Sequence, residues 1–95
     1  MTLAELRHKR SQILQLAEAH GATNLRVFGS VARSEATDAS DVDLLVDFDP
    51  ARVSWGGGAF LVELEALLGC NVDVVTVQDL HPLIRERVMA EAVAL

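Results

Sequence analysis

Two aspartates, Asp41 and Asp43, interrupt an otherwise apolar run, Ser40-Asp-Val-Asp-Leu-Leu-Val-Asp47. Residues i and i+2 of a strand point the same way, about 6.8 Å apart at ~3.4 Å per residue, so both carboxylates can reach cations lying between and above them. A third carboxylate, Asp73, lies in Asn71-Val-Asp-Val-Val-Thr76 and points opposite to Val72 and Val74, as Asp43 does to Val42 and Leu44. A neighbouring strand lies about 4.8 Å to the side, so Asp73 can complete a three-sided oxygen cage. Three carboxylates without a counter-charge would repel and raise one another's pKa. Hard divalent cations remove that cost, and all-oxygen ligation favours Mg²⁺ or Mn²⁺. Two such ions roughly 3.5–4 Å apart serve an in-line displacement at phosphorus.

The other half of that chemistry precedes the aspartates. Val27-Phe-Gly-Ser-Val-Ala-Arg33 couples an apolar strand to a glycine–serine turn. Gly29 lets the backbone approach a phosphate closely, and the N–H groups opening the next helix carry partial positive charge. The Ser30 hydroxyl adds a donor and Arg33 a guanidinium. Together these parts would hold a nucleoside triphosphate with its α-phosphorus over the metals. A Gly-Ser turn alone is common, and a lone Asp-x-Asp is usually a solvated strand edge. Gly-Ser, ten intervening residues, Asp-x-Asp and a later strand bearing one Asp on its polar side form a far more specific set.

The elements that must position these residues are legible in order. Thr2-Leu-Ala-Glu5 has the form of a capping box, and Leu3, Leu6, Ile13, Leu14 and Ala17 recur at helical spacing up to a stop at Gly21. Asn24 to Phe28 is a strand, Ser30 an N-cap for a short helix over residues 31–33, and residues 34–40 a polar loop. Asp41 to Asp49 alternates with period two, broken only by Leu45, until Pro50 ends it. Phe60, Leu61, Leu64, Leu67 and Leu68 mark a helix stopped by Gly69; Val72 to Val77 is a strand; Asp79 or His81 before Pro82 opens a final helix reaching Val93. The expected fold is a single α/β (α+β) domain over residues 1–95, with a small mixed sheet of about three strands, helices on one face and the polar face open.

Ninety-five residues leave no room for a separate substrate domain. Eight basic and fourteen acidic residues give a net charge of −6, which disfavours direct binding to nucleic acid and suits a metal site or a basic partner protein. Half the residues are hydrophobic, enough to leave apolar surface for a partner, and apolar positions on the first and last helices could pair two copies. No apolar run approaches a membrane span and no secretory layout opens the chain, so the expected compartment is the cytoplasm. Cys70 is alone, which excludes a disulfide framework and a zinc cluster. His8, His20 and His81 have no mutual spacing for a metal or a base and read as surface or capping residues. Asp47 and Asp49 read as solvated edge charges.

Phe28-Gly29-Ser30 with Asp41-Val42-Asp43-Leu44 resembles the hG(G/S)…Dh(D/E)h signature of the nucleotidyltransferase superfamily that includes DNA polymerase beta. The Ala32-Arg33 step, Val72-Asp-Val-Val-Thr76 and the terminal Leu83-Ile-Arg-Glu…Glu91-Ala-Val segment look more narrowly like the minimal nucleotidyltransferases, and the resemblance spans nearly the whole chain. It implies that Asp41 and Asp43 bind two Mg²⁺ ions, that Asp73 binds the catalytic one and helps activate the attacking hydroxyl, and that Gly29 and Ser30 hold the triphosphate of ATP. It further implies AMP transfer to a hydroxyl of a partner protein, a tyrosine of a HEPN-family toxin for which this chain is the antitoxin. The alternative is an antitoxin that neutralises its partner by covering it, without catalysis. Two departures stand out: Ser34 occupies a position where the family often has Gly, and Ser54-Trp-Gly-Gly-Gly58 falls where relatives enter a helix sooner. Trp55 there is a candidate for stacking on the base, though a surface or partner contact is the simpler expectation.

Overall fold

The fold is built on a four-stranded sheet. In the computed structural model, which describes residues 1–52 and 57–95, the order is α1 (Leu3–His8), α2 (Arg10–Ala19), β1 (Ala22–Phe28), α3 (Gly29–Ala32), β2 (Val42–Phe48), α4 (Gly58–Leu68), β3 (Val72–Val75), a 3₁₀ turn (Val77–Asp79), α5 (Pro82–Glu91) and β4 (Val93–Ala94). The sheet order is β3-β2-β1-β4. β1 runs antiparallel to β2 and β4, while β2 and β3 are parallel, connected through α4. Trp55 and Gly56, singled out above, lie outside the described residues.

Alternation along β2 decides which face each side chain takes. Val42, Leu44 and Val46 are fully buried and join Val27, Val72, Ile13, Phe60 and Leu64 in one core roofed by α1, α2 and α4. The opposite face carries Asp43 and Leu45, and it is not left open. Leu45 is completely buried beneath Leu80 and Val88, so the 3₁₀ turn and α5 close the second face below the carboxylates. That burial explains the one residue that broke the alternation: burying a leucine contributes ~1.5–3 kcal/mol, and an apolar cap is needed to obtain it.

Several expectations shift accordingly. The sheet has four strands rather than three, because Val93 leaves the final helix and pairs with Val27. The first helix breaks at Lys9 into α1 and α2. The strand expected to reach Val77 ends at Val75, where Thr76 and Asp79 cap the 3₁₀ turn reciprocally. Ser30 is not an N-cap: α3 starts at Gly29, with Phe28 in the cap position and making no side-chain bond there. The Thr2–Glu5 capping box forms as expected, and His81 Nδ1 caps α5 by accepting from Leu83 N–H at 3.1 Å, with Pro82 in the first turn. Among the described residues no helix is long and apolar enough to cross a membrane.

Candidate functional site

Strand register brings the predicted residues together. Asp43 faces Phe28 across the antiparallel β1–β2 pair and Asp73 across the parallel β2–β3 pair. Gly29 follows Phe28 directly, so the glycine turn, Asp43 and Asp73 fall in one row across three strands. Asp41 stands immediately before β2, exposed, two residues along from Asp43 on the same face. Asp43 is half-buried, and Asp73 is exposed on the edge strand β3.

The turn is fitted to the carboxylate. Gly29 has φ +72°, the left-handed region, and a Cβ placed on it would stand 2.1 Å from Asp43 Oδ2 and 3.1 Å from Cγ. Only glycine satisfies both conditions. Burial first, then the charges of Asp73 and Asp41, push the Asp43 carboxyl above its ordinary value, with Arg33 offsetting part of the effect. A half-buried carboxyl whose ionisation is opposed by burial and by two neighbouring carboxylates is an oxygen donor in want of positive charge, which fits Mg²⁺ or Mn²⁺. The side chains are arrayed along paired strands rather than gathered on one point: among the described residues no three acidic, histidine or cysteine groups form a ready-made cage.

Arg33 turns to its own chain. Its Nη1–H donates to Glu91 Oε1 and Oε2 at 3.1 and 3.2 Å, and its Nε–H to Glu35 Oε2 at 3.0 Å. Gly29 N–H also donates to Glu91 Oε1, at 2.7 Å. That bond is the main cause of a Glu91 carboxyl held below its usual range; burial opposes it and Arg33 adds to it. Glu35 and Glu91 in turn raise the guanidinium pKa of Arg33.

The nucleotidyltransferase domain family matches residues 9–95, which contain every candidate residue described above. The chain belongs to that family. A Methanocaldococcus jannaschii protein, MJ0435, provisionally named a protein adenylyltransferase, is 37% identical over 93 residues, spanning 98% of this chain and 97% of its own. The protein adenylyltransferase MntA of Thermococcus cleftensis is 40% identical over 79 residues, 83% of this chain and 80% of its own. A solved structure provisionally named a minimal nucleotidyltransferase superposes with a TM-score of 0.85 at 46% identity, covering 100% of this chain and 97% of the other. A toxin–antitoxin structure with AMP-PNP shares the fold at a TM-score of 0.68 and 19% identity, over 88% of this chain and 69% of that one.

For this nucleotidyltransferase, sequence reading did not single out Glu91, which bonds to both Gly29 and Arg33. A signal was present: an acidic residue in the last turn of α5 sits against the negative end of the helix dipole, where carboxylates are disfavoured unless something else holds them. Asp47, by contrast, accepts from Asn24 Nδ2 at 3.0 Å, has Arg26 4.0 Å away, and is cut off from the carboxylate row by buried Leu45.

Proposed function

We propose that this nucleotidyltransferase moves AMP from ATP to a hydroxyl of a partner protein, as the antitoxin of a HEPN-type ribonuclease whose tyrosine is the acceptor. The observation that carries the reading is the row formed by Gly29, Asp43 and Asp73, where a phosphate-binding turn abuts two cross-strand carboxylates. The names of the relatives, protein adenylyltransferases, support AMP as the transferred group. A fold neighbour solved as a toxin–antitoxin with AMP-PNP is in keeping with ATP and a toxin partner.

Residues 1–95 act in this reading as one catalytic unit. Asp41 and Asp43 hold two Mg²⁺ ions, or Mn²⁺, and Asp73 holds the one on the acceptor side. When bound, these ions neutralise the carboxylates and polarise the α-phosphate. Gly29 and Ser30 give the triphosphate a close backbone approach and a hydroxyl donor, and Arg33 adds its guanidinium. Asp73 orients the acceptor hydroxyl and helps draw its proton. The acceptor oxygen bonds to the α-phosphorus, the bond to the β-phosphate bridge breaks, and pyrophosphate leaves.

Exposed apolar side chains favour a second reading, neutralisation by complex formation alone. Leu83 is 87% exposed, and Ile84, Met89 and Val62 also lie open. Incubation with labelled ATP, Mg²⁺ and the product of the neighbouring gene separates the two. Transfer of label to the partner is expected. Stable association without transfer would overturn the enzymatic reading and leave the binding one.

A further inference from the structure

Glu91 makes contacts that its position in sequence does not explain. It lies 62 residues from Gly29 and 58 from Arg33, yet one of its oxygens takes a hydrogen bond from each. Its side chain is only 21% exposed. A carboxylate between a backbone N–H and a guanidinium occupies the kind of place a phosphate oxygen would take. It either competes with the nucleotide or serves it.

The frame around Glu91 and the free edge of Arg33 favour the second. One turn before it, Val88 is buried on Leu45; two residues after it, Val93 pairs with Val27 in β4, and Leu95 N–H donates to Leu25 O at 3.2 Å. The Glu91 backbone is thus held between a packed helix and a paired strand, which anchors its side chain beside the Gly29 turn and Arg33. The bonds it makes also leave part of Arg33 at liberty. Glu35 takes Nε and Glu91 takes Nη1, while Nη2 makes no hydrogen bond among the described residues of a side chain that is 46% exposed.

We propose that Glu91 is a positioning residue for nucleotide binding, fastening Gly29 N–H and the Arg33 guanidinium so that the turn is fixed and Arg33 Nη2 faces the triphosphate. The C-terminal segment thereby becomes part of the nucleotide site. This role rests on the nucleotide-binding reading of the Gly29–Ser30 turn.

The test is Mg²⁺–AMP-PNP affinity, by calorimetry, for wild type, Glu91→Gln, Arg33→Gln and the double variant. Glu91→Gln keeps a carbonyl acceptor for Gly29 N–H but removes the ion pair, so its melting temperature should stay close to wild type. Its affinity should fall about tenfold, the size of effect expected when one charge-assisted hydrogen bond to phosphate is no longer aligned. In the Arg33→Gln background the same change should have less than about twofold effect, because Glu91 acts through Arg33. Tighter binding by Glu91→Gln would overturn the proposal and make Glu91 a competitor. An undiminished effect without Arg33 would overturn it too. Wild-type protein that binds no AMP-PNP would overturn the proposed function and this role with it, whereas binding unchanged by Glu91→Gln would overturn the role of Glu91 alone.

Discussion

Replacing Gly29 with alanine tests whether the turn and the carboxylate form one fitted unit. The added Cβ meets two separate penalties. A left-handed backbone, here φ +72°, costs a non-glycine residue roughly 1–2 kcal/mol. The Cβ would also sit 2.1 Å from Asp43 Oδ2, so the carboxylate must move, and forced rearrangements of this kind cost about 1–3 kcal/mol. Alanine recovers about 0.4–1 kcal/mol by restricting the unfolded chain. The net destabilisation should be about 1–4.5 kcal/mol. At ~0.05–0.15 kcal/mol per residue a domain of this size has roughly 5–14 kcal/mol in hand, so the variant should fold and be measurable.

The two penalties separate in an Asp43→Ala background. Removing Cγ and the carboxylate oxygens leaves Asp43 Cβ 3.4 Å from the new methyl, an ordinary van der Waals separation. Gly29→Ala should then cost only about 1 kcal/mol, the left-handed penalty less the unfolded-state gain. Urea unfolding at neutral pH without divalent cation, followed by circular dichroism, gives all four stabilities. A coupling of about 1–3 kcal/mol is expected. Equal costs in the two backgrounds, or a wild-type cost below about 1 kcal/mol, would refute the claim that Gly29 is fitted to Asp43.

Two further changes probe the charge array and the loop beyond it. Asp43→Asn should abolish transfer yet leave the cation-free protein as stable or more stable at pH 7, because the raised Asp43 pKa makes its ionised form a folded-state liability. The sign fixes the window: the advantage of Asn is full above the folded pKa and disappears as pH falls through it towards 3.8. Urea midpoints at pH 7 and about pH 3.5 check this, and a drop in stability at pH 7 would make Asp43 a structural residue. Mg²⁺ should raise the melting temperature of wild type and not of Asp43→Asn, by linkage to the folded state. Ser34 stands at φ +59°, in the left-handed region, so Ser34→Gly should stabilise by about 0.5–1 kcal/mol. That corresponds to a rise of about 2–8 °C in melting temperature for a domain this small, and a fall would mean that the Ser34 side chain makes a stabilising interaction.

What was legible in the sequence was what short-range rules govern. Period-two alternation placed Asp43 and Asp73 on one face before any register was known, and the register then set them side by side. The capping box at Thr2 and the Pro82 helix start were equally local. Leu45 was read as an irregularity because its cover, Leu80 and Val88, comes from the far end of the chain. The fourth strand was hidden for a similar reason. Val93–Ala94 is too short to declare itself, and only the unpaired edge of β1 makes it a strand.

Arg33 shows how an assignment can be chemically sound and still incomplete. A cation shortly after a glycine–serine turn is a reasonable ligand for phosphate, but an exposed arginine at the end of a four-residue helix has many rotamers and no direction fixed by its own helix. Direction comes from Glu35 and from Glu91, the latter brought there by α5 beside β4. The same segment closes the sheet face below the carboxylates through Val88. In the proposed reading the stretch from Pro82 onward links nucleotide contact to sheet closure, and truncating it would expose Leu45 and remove the Glu91 partner of Arg33 together. Weak nucleotide binding by a C-terminal truncation is thus uninformative by itself, since disrupted packing and disrupted orientation coincide. The Glu91→Gln and Arg33→Gln cycle separates them because it leaves Val88 and β4 in place.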